Sequence, residues 1–382
     1  MNDVDVRHYP LSPAVAVRPQ PSSNLFVYGQ APRLVLWEAT RCCDLVCVHC
    51  RVAPVIHRHP LELHTQEAKA LFRQLLRFEV NEPPRLVITG GDPIFRPDLV
   101  ELVAYANHLG LHISVATSGT PSLTADYVTR LKEAGLNSLE LGLDGSTAAS
   151  HDAFRGAAGS FQWTMEGLEA AQAADIPIQI NTLVARQNLA DLPRLYELAQ
   201  VVGASRWALF FLVPIGWSQV LDEITAEQSE QFLASLWRLT SQTPLAVTAT
   251  EAPHYFRIAY DQMRAAGMSE TAILDTPLSR GFGTREGNGT IFVSHTGQVY
   301  PSGWLPLPAG NVRRESLVSL YRDSAFLQSL RNVDRLWGRC GRCPYKAICG
   351  GSRARAYAIS GDPFASDDLC PYQPPDSLKR EA

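Results

Sequence analysis

Cys43, Cys47 and Cys50 stand in a C-x3-C-x2-C run directly after the apolar stretch Leu34 to Glu38. Thiolates at such spacings hold soft transition metals or iron-sulfur clusters. A four-iron cluster ordinarily takes four cysteines, so a loop that offers three leaves one iron with a coordination position for a substrate or cofactor. Zinc is the alternative, but it needs a fourth ligand, and the nearby His49 and His57 are poorly spaced to supply one. Cys42 offers a second frame, C-x4-C, or is simply a small buried residue. Further on, Cys340-x2-Cys343-x5-Cys349 and Cys370 supply four thiolates. Four ligands close a cluster and suit it to electron transfer, or build a closed zinc site. The chain's 8 cysteines fall in these two groups with none between. In a reducing compartment that clustering indicates two metal sites rather than disulfides.

From Leu34 onward, short β-rich runs alternate with runs of helical period, the pattern of repeated βα units around a parallel sheet. Strands are expected at Leu34–Glu38, Leu86–Thr89, His112–Thr117, Ser138–Leu143, Pro177–Val184 and Trp207–Val213. Between them, Ala68, Leu71, Phe72 and Leu75 form one helical stripe, and Leu99, Leu102, Val103, Ala106 and Leu109 another. Pro97 suits an early helical position and Gly110 a C-terminal cap. Six such strands make an α/β partial barrel whose chemistry sits at the C-terminal ends of its strands. After about Ser241 the rhythm breaks. The expected organisation is an extended Pro- and Ser-rich arm over 1–30, the barrel over 31–240, a bridging segment over 241–289, a small cysteine-rich domain over 290–376 and a tail over 377–382.

The composition, 46% apolar and 19% charged over 382 residues, is that of an ordinary globular core. A net charge of −4 and a pI near 6.2 offer nothing to attract nucleic acid. The longest apolar run, around Trp207 to Pro214, is far short of the roughly 18 residues of a membrane span. Met1 to Gln20 has no secretory pattern. No nucleic-acid or membrane partner is expected, and the expected location is cytoplasmic.

The strand Leu34–Glu38, the loop Cys43–Cys50 and the element Gly90-Gly91-Asp92-Pro93 together resemble the radical S-adenosylmethionine (SAM) superfamily. The resemblance implies a (β/α)6 TIM-like barrel open on one side. It also implies a [4Fe-4S] cluster on Cys43, Cys47 and Cys50 whose open iron is chelated by SAM. An electron from a reductant such as flavodoxin or ferredoxin then releases a 5′-deoxyadenosyl radical that takes a hydrogen atom from substrate. Gly90–Pro93 matches the G-G-E-P element that receives the SAM ammonium through backbone carbonyls and the acidic side chain, two glycines allowing close approach. His49 corresponds to an aromatic position near the adenine, or packs on the loop. Ser118 meets the SAM ribose or caps a helix. Gly142-Leu143-Asp144-Gly145 with His151-Asp152-x-x-Arg155-Gly156 resembles the S-L-D-G … H-D-x-x-R-G element of peptide-modifying members, whose serine and arginine grip the SAM carboxylate. Here Gly142 removes the serine and Arg155 remains. Gln179 and Asn181 share one face of a strand and need partners, which ribose hydroxyls, water or a loop would supply.

The C-terminal cysteines resemble the SPASM extension of these enzymes, which in full form carries two auxiliary clusters. Ser302 and Arg353 replace two ligands of the inner one. A second, outer [4Fe-4S] cluster on Cys340, Cys343, Cys349 and Cys370 is therefore expected alone. Ser302-Gly303-Trp304 also lacks the acid that sulfatase-type maturases place there, which argues against formylglycine formation. Two substrate classes remain. A ribosomally made peptide is slightly preferred on superfamily frequency, although the arm is too short for a leader-binding module. The alternative is a tetrapyrrole whose acid side chains are oxidatively removed or altered. For that class, Thr250-Glu251-Ala252-Pro253-His254-Tyr255 resembles an A-P-x-Y element, and His254 either approaches an iron or a propionate or is satisfied locally. A third reading is an iron-sulfur electron carrier without SAM chemistry. Glu38, Arg51, Arg186, Arg206 and Glu251 are further candidates to face the substrate or only each other.

Overall fold

The computed structural model describes residues 28–51, 55–216, 220–240 and 243–375, so nearly all of the 1–30 arm and all of the 377–382 tail lie outside the described residues. Strands β1 (Leu34–Thr40), β2 (Arg85–Gly90), β3 (Ile113–Thr117), β4 (Ser138–Gly142), β5 (Ile178–Val184) and β6 (Arg206–Phe211) pair in parallel and in chain order. These are the six strands read from the sequence, each shifted by no more than a residue or two at its ends. The helices between them bury the expected stripes, Ala68, Leu71, Phe72 and Leu75 on Thr65–Leu76 and Leu99, Leu102, Val103 and Ala106 on Leu99–His108. Pro97 lies one residue ahead of the N-cap Asp98 rather than inside the helix.

The sheet does not stop at six strands. β7 (Ala246–Thr250) adds in parallel beside β6, in the segment read from sequence as a bridge. Its Ala-Val-Thr-Ala-Thr sequence is short and only partly buried, as befits an edge strand, and so carries little hydrophobic signal. At the other edge, β8 (Arg285–Glu286), β9 (Gly289–Val293), β10 (Gln298–Tyr300) and β11 (Gly310–Asn311) continue the same sheet, with β9 parallel to β1 and β10 antiparallel to β9. The order is β11-β10-β9-β1-β2-β3-β4-β5-β6-β7, with β8 on β9. β1 is thus an interior strand with neighbours on both sides, and its Val35 and Trp37 are wholly buried.

The end of β1 is the part that positions the cysteine loop. Its register with β2 skips Ala39, a bulge that re-aims the chain after Glu38. Arg96, itself buried, clamps this bend: its guanidinium donates to the carbonyls of Ala39 and Leu63, both at 3.0 Å, pairs with Asp98 at 2.7 Å and stacks on the Trp37 ring at 5.1 Å. Among the described residues no helix is long and apolar enough to cross a membrane.

Because β9 is hydrogen-bonded to β1, the C-terminal region shares the barrel's core. Ile291, wholly buried on β9, tests this: Ile291→Ala is expected to lower stability by about 2–5 kcal/mol. It should do so within a single cooperative urea transition, without a separate early unfolding step.

Candidate functional site

Cys43 and Cys47 are buried and Cys50 is partly so, packed with Leu45, Ala157 and Trp163. The Leu45 amide donates to Cys43 Sγ at 3.4 Å, Ser118 Oγ lies 3.6 Å from the same sulfur, and Arg155 Nη1 is 4.0 Å from Cys47 Sγ. Burial pushes the Cys43 thiol up to about 11 and raises Cys47 as well. Thiols held this way ionise when a metal replaces the proton, and the donor set suits a cluster enclosed on its protein side. Cys42 stands apart, buried and bonded to the Ile56 carbonyl.

Gly90 and Gly91 serve a contact that the sequence does not announce. A methyl group on Gly90 would lie 2.2 Å from the Thr40 carbonyl oxygen, and one on Gly91 2.4 Å from that of Cys42. The two glycines let the β2 exit press against the β1 exit, sealed by Gly91 N to Thr40 O at 2.8 Å and Asp92 N to Cys42 O at 2.7 Å. The Asp92 carboxylate turns inward, accepting from Thr117 Oγ1 at 2.8 Å, from the Ile94 amide at 3.2 Å and from the Ser118 amide at 3.4 Å. Burial raises it to about 6. Pro93 begins the short turn that follows. Its carbonyls also have partners inside the protein, Gly91's accepting from Ser118 Oγ at 3.3 Å, Asp92's from the Phe95 amide at 3.2 Å and Pro93's from the Arg96 amide at 2.9 Å.

On the β4 exit, Arg155 Nε donates to Asp144 at 2.9 Å, and Asp144 also accepts from the Leu183 amide at 2.8 Å. Burial alone would raise Asp144, but Arg155 and His49 hold it below the usual carboxylate range. His49 lies 3.8 Å from Asp144 and against the Phe154 ring, and burial depresses it to about 4. Gly142 is explained by the same knot. A methyl there would meet Arg155 Nη2 at 1.8 Å, so the space of the missing serine is taken by the arginine itself. Gln179 and Asn181 do face one side of β5, but their partner is Glu140: Gln179 Nε2 reaches it at 3.0 Å and Asn181 Nδ2 at 3.2 Å. Glu140, wholly inside the barrel and raised by burial, is a member of this polar group that the sequence reading missed. Its alternation with the apolar Leu139 and Leu141 on β4 was the available signal.

Glu38 and Arg51 pair directly, and the other Glu38 oxygen bonds His295 Nδ1 at 2.6 Å. Burial opposes the charge on Glu38, yet the His295 bond and Arg51 bring it down to about 2. His254 is held locally through one nitrogen: it is buried, its Nε2 is 2.8 Å from Ser229 Oγ, its buried Nδ1 has no hydrogen-bond partner among the described residues, and burial lowers it to about 3. Glu251, at a left-handed φ of 61°, shares the Ser352 hydroxyl with Glu286 deep in the fold, and burial raises it well above the normal range. Arg186 instead sits at the surface on the Glu223 carbonyl.

The four C-terminal thiols converge. Burial raises Cys343 to about 12 and Cys370 to about 11, and Cys349 is pushed up by burial and by the fields of Cys370, Cys343 and Cys340. Amides of Asp367 and Gly351 point at Cys340 and Cys349 sulfurs, each at 3.4 Å. Arg257 reaches Cys370 Sγ at 3.9 Å. Arg353 lies 3.8 Å from Cys340 Sγ and ties the loop through the Pro363 and Ala365 carbonyls. Ser302 is buried, with its hydroxyl on the Trp304 amide. Among the described residues no three His, Cys, Asp or Glu side chains are grouped as ligands of a single ion. A cubane spreads its ligands over four irons and does not require such a grouping.

The family model of the radical SAM superfamily matches residues 37–199. An AdoMet-dependent heme synthase of Methanosarcina barkeri (strain Fusaro / DSM 804) is 38% identical over 344 residues, covering 90% of this chain and 97% of that one. The chain belongs to the radical SAM superfamily. It is accordingly an enzyme of that chemistry, with a SAM-binding [4Fe-4S] cluster as the family cofactor. A PqqA peptide cyclase of Rhizobium meliloti (strain 1021) is 28% identical over 349 residues, with 90% and 88% covered. The fold of Streptococcus suis SuiB bound to S-adenosylmethionine superposes with a TM-score of 0.65 at 15% identity, over 90% of this chain and 78% of that one.

Two outcomes test the geometry. Gly142→Ser, although it restores the family serine, is expected to dislodge Arg155 from Asp144 and weaken SAM binding about tenfold or more in a titration. Glu38 has a folded value near 2 against 4.5. Its contribution of about 3 kcal/mol is therefore whole above pH 4.5 and lost as the pH falls toward 2. Urea titrations across that window should show a shallower slope in Glu38→Gln.

Proposed function

We propose that this chain is a tetrapyrrole-modifying radical SAM enzyme that oxidatively decarboxylates propionate side chains of an iron porphyrin. What carries this reading is the 38% identity to the heme synthase over 90% of the chain, against 28% for the peptide cyclase. A propionate that gives up a hydrogen atom, carbon dioxide and one electron becomes a vinyl group, so the substrate needs a hydrogen-atom acceptor and an electron acceptor. Cys43, Cys47 and Cys50 would hold the SAM-cleaving cluster, whose chemistry would supply the first, the 5′-deoxyadenosyl radical. Cys340, Cys343, Cys349 and Cys370 would hold a second [4Fe-4S] cluster fit for the electron, a role supported by their convergence, their amide contacts and the neighbouring Arg257 and Arg353.

For SAM, the backbone carbonyls of Gly90–Pro93 and the Ser118 hydroxyl beside Cys43 are the binding groups this reading selects. Asp144 orients Arg155, whose Nη1 points toward Cys47 and serves the SAM carboxylate. His49 stays neutral at physiological pH and packs near the adenine. Gln179 and Asn181, oriented by Glu140, face the ribose. A small electron-transfer protein such as flavodoxin or ferredoxin would reduce the first cluster. The peptide reading rests on the more distant relative and remains the alternative outcome of the test.

The experiment is anaerobic reconstitution followed by mass spectrometry of 5′-deoxyadenosine and of porphyrin products, with dithionite and SAM, with and without iron-coproporphyrin. Stimulated SAM cleavage together with loss of carbon dioxide from the porphyrin is expected. Cleavage indifferent to the porphyrin would overturn the tetrapyrrole reading. Ala at Cys43, Cys47 or Cys50 should abolish SAM cleavage. Cys343→Ala should drop iron from about eight to about four per chain, keep SAM cleavage and lose decarboxylated product.

A further inference from the structure

A cleft with about 550 Å³ of empty space opens beside the cysteine loop. It lies on the β9 side of β1, whereas Gly90–Pro93 lies on the β2 side. Glu38, Arg41, Arg51, Phe292, His295 and Thr296 are among its walls, and Glu38 is the one acid that lines it. Both oxygens of that acid are already engaged, one by Arg51 Nη2 and one by His295 Nδ1. Arg51 and His295 thus share a single ionised carboxylate, and among the described residues Arg51 spends only Nη2 on it, so its remaining N–H donors are left to a half-enclosed space where an anion is favoured. Arg51 is held ready for it. Glu38 fixes one edge of the guanidinium, and the Phe292 ring lies 4.8 Å beneath its centre, leaving a flat donor edge of the kind that matches a carboxylate.

We propose that this cleft binds a carboxylate of the substrate, a propionate arm of the iron porphyrin, with Arg51 as its anchor and Glu38 as the positioning residue behind it. The inference rests on the tetrapyrrole reading. Arg51 is the next residue after Cys50, so the cleft that its side chain lines opens off the loop that carries that cysteine. The held arm is one that the product keeps. A carboxylate about to leave as carbon dioxide must give up its charge, and a tight guanidinium pair would stabilise it more before the reaction than during it. An anchored spectator arm instead sets which of the other arms meets the radical.

The test compares iron-coproporphyrin with its tetramethyl ester, following the Soret band on titration into the reconstituted wild-type enzyme, Arg51→Gln and Thr296→Glu. Thr296 lies in the half-buried turn of the cleft wall, away from the cysteines, so the glutamate adds an anion without touching the cluster loop. The wild type should prefer the acid by about 10- to 100-fold. Both variants should lose about tenfold of that preference, and Arg51→Gln should widen the set of decarboxylated products. A wild type that binds acid and ester equally, or variants that hold their iron and keep the full preference, would overturn the inference and leave the tetrapyrrole reading standing. Should Arg51→Gln fail to hold iron, Thr296→Glu decides alone. A wild type that binds neither porphyrin brings down the tetrapyrrole reading itself.

Discussion

The contact on which the site depends is between two stretches of backbone. Gly90 and Gly91 at the end of β2 press so closely on Thr40 to Cys42 that no side chain fits between, and two amide-to-carbonyl bonds hold them there. This joint fixes where the cysteine loop leaves the sheet. At the same turn the Asp92 side chain is spent inward on Thr117, Ile94 and Ser118. One packing constraint therefore sets both the cysteine loop and the turn beside it. Arg96 reinforces the joint from below by tying the Ala39 bulge to Leu63 and Asp98.

Around that joint the fold pairs its buried and half-buried charges. Asp144 with Arg155, Glu38 with Arg51 and His295, and Arg355 with Asp367 and Glu223 each bind segments that come from different parts of the chain. Such groups add little net stability over an apolar core, but losing one member costs about 3–5 kcal/mol because its partner is left charged and dry. Their use is geometric: they hold side chains around the cysteine loops at fixed positions. Arg353 fits the same logic. Its guanidinium braces the loop around Cys340.

What could be read from the sequence was what is local. The cysteine runs, the six parallel strands and the stripes such as Ala68, Leu71, Phe72 and Leu75 are patterns within a few residues, and each reappears in the fold. β7 escaped because an edge strand of Ala and Thr carries no hydrophobic signature. Gly142 looked like a lost contact, since its neighbour Arg155 is 13 positions away in sequence and 1.8 Å away in space from where its methyl would be. The bond between Glu38 and His295 spans 257 positions, and no spacing rule could join them. Glu251 and Glu286 likewise come together around Ser352.

The sheet order has a consequence for how the protein is made. β1 is among the first parts of the chain to be synthesised, yet its β9 neighbour comes about 250 residues later. Until that strand arrives, β1 presents an open hydrogen-bonding edge and the cysteine loop at its end has one wall missing. Long-range parallel pairing of this kind folds slowly and leaves the edge open to other partners in the meantime. The nascent chain thus keeps the β9-facing edge of its first strand unpaired through most of its synthesis.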